Sequence, residues 1–223
     1  MNPDVVEVKG ADSRLASVFP LRRAIEQAIA ALFLAVFAIP IGLTALAAWL
    51  SCGRPLLFRQ ARAGLNMQQF TIAKFRTMHD TRDALGNLLP DHLRETKASR
   101  FMRRIRVDEF PQLVSVARGE MSFFGPRPLL PATILAMGEL GRARCRILPG
   151  LSGWAQVNGN TRLDDKQKLA LDVWYVDHKN LRLDLYILMQ TVVTLLRGER
   201  VNVQRIREAE DYVGQHYGAR AQS

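Results

Sequence analysis

Cysteine, histidine and acid are all in short supply in this chain. Its two cysteines, Cys52 and Cys145, stand far apart and outside any CxxC or Cys/His pattern. A disulfide framework and a structural zinc site are therefore not expected, and a reducing compartment fits best. None of the four histidines stands at metal-ligand spacing from another. Aromatic residues make up 8% of the sequence and sit among apolar neighbours, which argues against a nucleic-acid platform built on base stacking. Internal repeats and low-complexity tracts are lacking too. Asp and Glu number 21 against 31 Lys and Arg, a net charge of +10. That surplus favours a polyanionic partner, whether nucleic acid, anionic lipid or phosphorylated small molecules.

One stretch lacks charge altogether. Ala28 to Leu50 reads AIAALFLAVFAIPIGLTALAAWL, 23 residues, enough to cross a hydrocarbon core roughly 30 Å thick at about 1.5 Å per helical residue. No small-residue cleavage pattern ends the run, so it does not read as a signal peptide. Its length and lack of polar residues disfavour the core helix of a soluble protein. Pro40 near the centre, followed by Gly42, removes a helical hydrogen bond and predicts a kink there. Both flanks are basic, with Arg14, Arg22 and Arg23 before and Arg54, Arg59 and Arg62 after. Positive charge prefers the cytoplasmic side, so a re-entrant hairpin that enters and leaves by one face is favoured over a kinked single span. Either arrangement leaves everything after Gly53 in the cytoplasm.

The remainder reads as an α-rich α+β protein: a flexible segment over 1–20, a re-entrant membrane helix over 21–52, a small cytoplasmic globular domain over 53–197 and a tail over 198–223. Leu56 to Met78 suggests two strands around a Gly64-Leu65-Asn66 turn, a short β-hairpin on which Lys74 and Arg76 share a face. Residues 80–97 read as a charged loop. Helices are expected over Ser99–Arg106 and Phe110–Arg118, the second stopped by Gly119. Met121 to Pro131 reads as an ordered turn, and Pro149-Gly150 and Asn158-Gly159 as turns around LSGWAQV. Asp164–Asp177 fits a helix with Leu169, Val173 and Val176 on one face. Leu185–Leu196 is apolar but too short to span; it suits either core packing, the commoner outcome, or an interface helix. The tail is expected to be partly helical.

Three short stretches carry charge in patterns suited to chemistry. In VDEFPQL, Asp108 suits a helix N-cap, Glu109 the first turn, and Pro111 is tolerated where early N–H groups lack partners. Alone this is equally well a capped helix with its carboxylates near the positive pole. The same arrangement is also a place where a magnesium ion and a phosphate could meet. KFRTM offers Lys74 and Arg76 as either a charged strand edge or a phosphate clamp. GPRP fixes Arg127 between two prolines, a rigid way to aim one cation at an anion.

Taken together, FRQARAGLNMQQFTIAKFRTM, RVDEFPQLVSVARGEMSFFGPRPLLP and PGLSGWAQVNGN resemble the bacterial sugar transferases that act on polyprenyl phosphate, the monotopic phosphoglycosyl transferases. The resemblance runs from about Arg22 to Arg197 and includes the proline-broken apolar segment. It implies transfer of a phosphosugar from a UDP-sugar to undecaprenyl phosphate, with release of UMP, as the first membrane step of glycan assembly. It implies Asp108 as nucleophile of a phosphosugar-aspartyl intermediate, with Glu109 as metal support, base or orienting group. Magnesium would be held through Asp108 and Glu109, and Lys74, Arg76, Arg103 and Arg127 would position phosphates. Further implications are a bacterial inner-membrane location, interface helices at headgroup depth and no nucleic-acid partner, with a homodimer left open.

The chain departs from the family pattern at Ser99, where Gly is common, at Ile105 and Arg106, where Ser or Thr is frequent, and at Phe110, where Leu is usual. None of these removes a charge from the presumed site, and Arg106 adds one. The chain also reads as the compact form, without the N-terminal transmembrane bundle of larger members. A membrane-anchored scaffold that binds anionic lipid explains the charge but not the order of the three motifs. The sugar is not readable from the sequence.

Overall fold

The computed structural model describes residues 13–218. Helix α1 (Ser13–Val36) and helix α2 (Ala38–Cys52) form a pair bent by 67°. Helix α1 thus begins inside the stretch expected to be loosely ordered; the expectation for residues 1–12 lies outside the described residues. The bend falls at Phe37 rather than at Pro40. A proline has no N–H to give the carbonyl four residues back, and its ring crowds that carbonyl. The interrupted bond is therefore the one to Val36, while Phe37 N–H to Phe33 and Ile41 N–H to Phe37 persist at 2.8 Å. Among the described residues no single helix is long and apolar enough to cross a membrane; the bent pair is, by length and composition. Much of its apolar surface is bare, with Ile39 77% and Leu50 73% exposed.

The base of α1 is fastened by polar contacts. Arg23 donates to the Gly119 carbonyl at 2.6 Å, Gln27 to that of Ala117 at 3.2 Å, and Glu26 accepts the Phe123 N–H at 3.3 Å. Arg22 pairs with buried Asp184, whose other oxygen accepts the Tyr175 hydroxyl at 2.5 Å.

Strands β1 (Leu57–Ala63) and β2 (Gln69–Phe75) form the expected antiparallel hairpin, in register from Leu57 opposite Phe75 to Ala63 opposite Gln69. Short helix α3 (Asp91–Arg94) lies within the predicted loop. Helix α4 (Lys97–Arg104) starts two residues early because Thr96 and Ser99 form a reciprocal capping box. The expected second helix is divided into a 3-10 turn, Val107–Gln112, and helix α5 (Leu113–Ala117), with Gly119 at φ 73° ending it. Strand β3 (Ser122–Phe124) pairs in parallel with β4 (Gly150–Ser152), a second small sheet that the turn signals concealed. Between them run α6 (Pro131–Ala136) and α7 (Gly138–Arg144).

Helices α8 (Trp154–Val157), α9 (Asp165–His178), α10 (Leu181–Arg197) and α11 (Val203–Tyr217) enclose the main core. Trp154, Leu171, Tyr175, Ile187, Ile206 and Ala209 are buried there together. Each large apolar side chain so placed contributes about 1.5–3 kcal/mol. The helix expected over Asp164–Asp177 is α9, but it is buried more deeply than one stripe: Ala170, Leu171, Val173 and Tyr175 are covered, while Leu169 and Val176 are half-buried. The tail helix α11 belongs to this core. Core packing does not hold for most of α10. Only Asp184 and Ile187 are buried, whereas Leu185, Leu188, Met189, Val192, Leu195 and Leu196 face outward. One stripe already fills the space above α8 and α9, and the opposite face finds no neighbour among the described residues.

Candidate active site

Alternation along β2 turns Ile72 and Lys74 to the same face. Opposite them across the hairpin stand Gln60 and Phe58, with Arg62 opposite Phe70. This face meets the 3-10 turn that carries Asp108 and Glu109. Arg106 precedes that turn in the left-handed region, at φ 58°, a conformation that costs a side-chain-bearing residue about 1–2 kcal/mol. The chain reverses there, so Asp108 enters as the second residue of the turn, 9% exposed. It is not the expected N-cap: Arg106 occupies that position, and no side chain caps the turn.

Glu109 is the hub. One of its oxygens accepts from Lys74 Nζ at 2.7 Å and from Arg127 Nη2 at 2.9 Å. Burial pushes its pKa up, but Arg127, Lys74 and Arg106 more than offset this and hold it at about 2. Asp108 moves the opposite way. Burial and then the neighbouring Glu109 charge raise its pKa, against weaker opposition from Lys74 and Arg103. Adjacent carboxylates thus have divided characters: Glu109 is ionised and spoken for, while Asp108 is the more basic one. For Lys74, burial and the Arg127 charge win over Glu109, and its pKa is lowered.

Arg127 is aimed by backbone packing. Gly125 lies so close to β4 that a Cβ on Gly150 would come within 2.1 Å of the Gly125 nitrogen, and one on Gly153 within 2.3 Å of its carbonyl. Behind the loop, buried Arg144 donates to the Arg127 carbonyl at 2.8 Å and to Asp172 at 2.6 Å. The Arg127 side chain is left 40% exposed.

The remaining two candidates fare differently. Arg103 pairs with Glu95 at 3.3 Å, yet its charge reaches Asp108, which puts it at the rim. Arg76 does not join the cluster. It binds Asp80 at 2.7 Å and the carbonyls of Met78 and Arg54 at 3.1 and 2.9 Å. Its own N–H still bonds the Leu56 carbonyl at 2.9 Å, but its side chain is held by the loop after β2 and by Arg54.

Two residues not singled out from the sequence line the same small cavity as Lys74, Glu109 and Arg127: Arg62 and Gln112. Among the described residues Arg62 Nε and Gln112 Nε2 are buried donors without a partner, an arrangement that costs about 1–3 kcal/mol unless an acceptor arrives. Burial and the nearby Arg127 charge lower the Arg62 pKa. Cations crowded together beside unused donors are suited to an anion. Strand alternation in FRQARA contains the signal for Arg62. As for a metal, no group of three or more ligating side chains occurs among the described residues. Two adjacent carboxylates nevertheless fit magnesium, which is commonly held by one or two carboxylates together with substrate phosphates.

The sequence that builds this site matches a known family. Residues 17–198 match the model of the bacterial sugar transferases, and the chain belongs to that family. It is 44% identical over 165 residues to an uncharacterized sugar transferase, EpsL, of Bacillus subtilis, covering 74% of this chain and 82% of that one. It is 38% identical over 186 residues to the undecaprenyl-phosphate glucose phosphotransferase of Komagataeibacter xylinus, covering 77% of this chain but 35% of that relative. Identity is also 38%, over 185 residues, with the UDP-glucose:undecaprenyl-phosphate glucose-1-phosphate transferase of Caulobacter vibrioides, with 78% and 69% covered. The chain therefore spans only about a third of the Komagataeibacter protein.

Proposed function

We propose that the protein transfers a sugar phosphate from a UDP-sugar to undecaprenyl phosphate at the cytoplasmic face of a bacterial inner membrane, and that it does so in two displacements. The observation that carries this reading is the division between Glu109, which is paired with Lys74 and Arg127 in a cavity also lined by Arg62 and Gln112, and its more basic neighbour Asp108. In the first displacement an Asp108 oxygen bonds to the sugar-bearing phosphorus. The bond from that phosphorus to the UMP oxygen breaks, and UMP leaves with the electron pair. In the second, an oxygen of the lipid phosphate bonds to the same phosphorus and the aspartyl oxygen departs, which regenerates the carboxylate.

Nucleophilic carboxylates are sufficient for this chemistry when the phosphate charge is neutralised. Arg127 presents a fork to the diphosphate and Lys74 a point charge. Glu109 fixes both cations in place, which makes it a positioning residue. Magnesium, bound through Asp108 and Glu109, would supply further charge neutralisation on the diphosphate. The bent α1–α2 pair, with bare Ile39, Leu43 and Leu50, is read as the re-entrant anchor, and the outward face of α10 as lying in the interface.

The test is to supply a panel of UDP-sugars, magnesium and undecaprenyl phosphate in detergent and to measure UMP. Release with at least one sugar is expected; none from any sugar overturns the reading in favour of a lipid-binding scaffold. Cysteines placed on both flanks of the bent pair should be labelled from the same face, and labelling from opposite faces would refute the hairpin.

A further inference from the structure

Glu199 is the first residue past the segment that matches the family. It stands between α10 and α11, where Gly198 at φ 81° ends one helix and the Asn202 side chain caps the next, accepting the Arg205 N–H at 3.2 Å. Buried Ile187 on α10 and buried Ile206 and Ala209 on α11 tie both ends of this connection to the core. One Glu199 oxygen accepts from the Asn160 side-chain amide. The other accepts from the Thr161 hydroxyl at 2.5 Å and the Thr161 N–H at 3.2 Å. The Asn202 N–H adds a bond to the Asn158 carbonyl at 3.1 Å. Asn160 uses that support, because it holds φ 47°, a left-handed conformation that side-chain-bearing residues seldom adopt.

Stronger partners stand within range. Arg104, Arg106 and Arg197 line a small cavity together with Glu199, yet both carboxylate oxygens are committed to neutral donors of one loop. Among the described residues Glu199 forms no ion pair with the three guanidiniums. Burial pushes its pKa up, but the bonds from Thr161 and Asn160, and then the Arg106 charge, outweigh this and lower it. The carboxylate is thus ionised and given over to holding the turn Asn160–Arg162.

What that turn builds is one wall of a cavity of about 270 Å³, in which Asn160 and Thr161 stand with Arg127, Thr133, Gln156 and Lys168. Gln156 is 6% exposed, and its Oε1 has no partner among the described residues. A buried acceptor left open is satisfied by a ligand that brings hydroxyl or N–H groups. Uridine and sugar rings bring them; a prenyl chain does not. We infer that Glu199 is a positioning residue, which fixes Asn160 and Thr161 in the wall beside Arg127 and so sets how tightly the donor, rather than the acceptor, is held. The donor half of this assignment rests on the transfer reading above; the fastening of the turn does not.

Two readouts on the full chain in detergent test it, and the first needs no turnover. In Glu199→Gln, amide hydrogen exchange over residues 158–163 is expected to quicken about tenfold or more, the loss for a charged hydrogen bond, with α9 and α10 unchanged. Unchanged exchange there overturns the fastening. The second is turnover against UDP-sugar and undecaprenyl phosphate. Glu199→Gln is expected to raise the donor KM about tenfold while the acceptor KM stays and kcat changes less than about twofold. Thr161→Val should act in the same direction, and the double variant should be no worse than the weaker single one, since both break one contact. A lowered kcat with both KM values unchanged marks a merely structural role and overturns the assignment. A raised acceptor KM with the donor KM unchanged moves the residue to the acceptor side, and fully multiplying losses in the double variant separate Glu199 from Thr161; either result overturns it as well. No UMP from the unaltered chain with any UDP-sugar sinks the transfer reading and the donor half with it, while the exchange result alone decides the fastening.

Discussion

Buried acid–base clusters of two kinds occur among the described residues, and only one kind is finished. In the first, Arg144 grips Asp172 with two nitrogens, at 2.6 and 3.2 Å, and spends its remaining reach on the Arg127 carbonyl. Asp184 likewise has Arg22 on one oxygen and Tyr175 on the other. In the second kind, Glu109 is paired, but among the described residues Asp108 beside it has no cation in contact, and Arg62 and Gln112 each keep an unused donor. A closed cluster holds the fold. An open one, with spare donors beside a paired carboxylate and a more basic one next to it in the chain, is suited to receive an anion.

The largest way to break the contrast is at Asp108. Asp108→Asn should lower turnover at least about a thousandfold, as removal of a covalent nucleophile does, with the thermal midpoint little changed. An active Asn variant sinks the nucleophile assignment. The opposite pattern is expected in the closed cluster. Asp172→Ala leaves Arg144 buried without its partner and should cost about 3–5 kcal/mol in denaturant unfolding. Turnover should fall mainly through displacement of the Arg127 loop. If Asp172→Ala proved as stable as the unaltered chain, the two clusters would not differ as described.

A smaller effect is expected on pH. Glu109 has its pKa depressed to about 2, so the stability it contributes is present above its unfolded value near 4.3 and is lost as pH falls toward 2. The amount is on the order of 3 kcal/mol, since each tenfold change in proton affinity is worth about 1.4 kcal/mol. Asp108 has the reverse sign: its raised pKa makes ionisation costlier in the folded chain, so activity should fail on acidification earlier than for an ordinary aspartate. Glu109→Gln removes the neighbouring negative charge that, after burial, does most to raise the Asp108 pKa. It should move the acid limb of the pH–rate profile downward while reducing the maximum. An acid limb that stays in place would show that Glu109 does not tune Asp108.

How much of the molecule is legible in its sequence follows from the range of the interactions. The hairpin, the broken apolar segment and the capped helices are set by neighbours a few residues apart, and the sequence displays them. Lys74, Glu109 and Arg127 each stand out in a local motif, and the fold brings them into one ion-paired cluster. Asp108 reads as a cap because the left-handed turn at Arg106, a non-glycine residue, has no local signature. Arg144 and Asp172 escape a sequence reading since each lies in a helix and the pair matters only through a carbonyl in a distant loop. The outward face of α10 misleads for a related reason. Apolar periodicity reports that a face needs cover, not whether protein or lipid provides it.

The smallest prediction tests the limit of local patterning. Alternate residues of a strand share a face, which groups Arg76 with Lys74, but β2 ends at Phe75 and Arg76 turns to Asp80, which is 66% exposed. The ion pair itself contributes about 0–1 kcal/mol, and the bonds from the largely buried Arg76 side chain to the Met78 and Arg54 carbonyls about 1 kcal/mol each. Arg76→Ala should therefore change turnover less than about threefold while costing about 2–3 kcal/mol of stability, whereas Lys74→Ala, which frees the Glu109 carboxylate from one of its two cations, should reduce turnover by about a hundredfold. Assaying the two variants side by side against one UDP-sugar settles it. Comparable losses would return Arg76 to the phosphate site and show that the loop after β2 closes over substrate, bringing back by motion the pairing that the strand's end had broken.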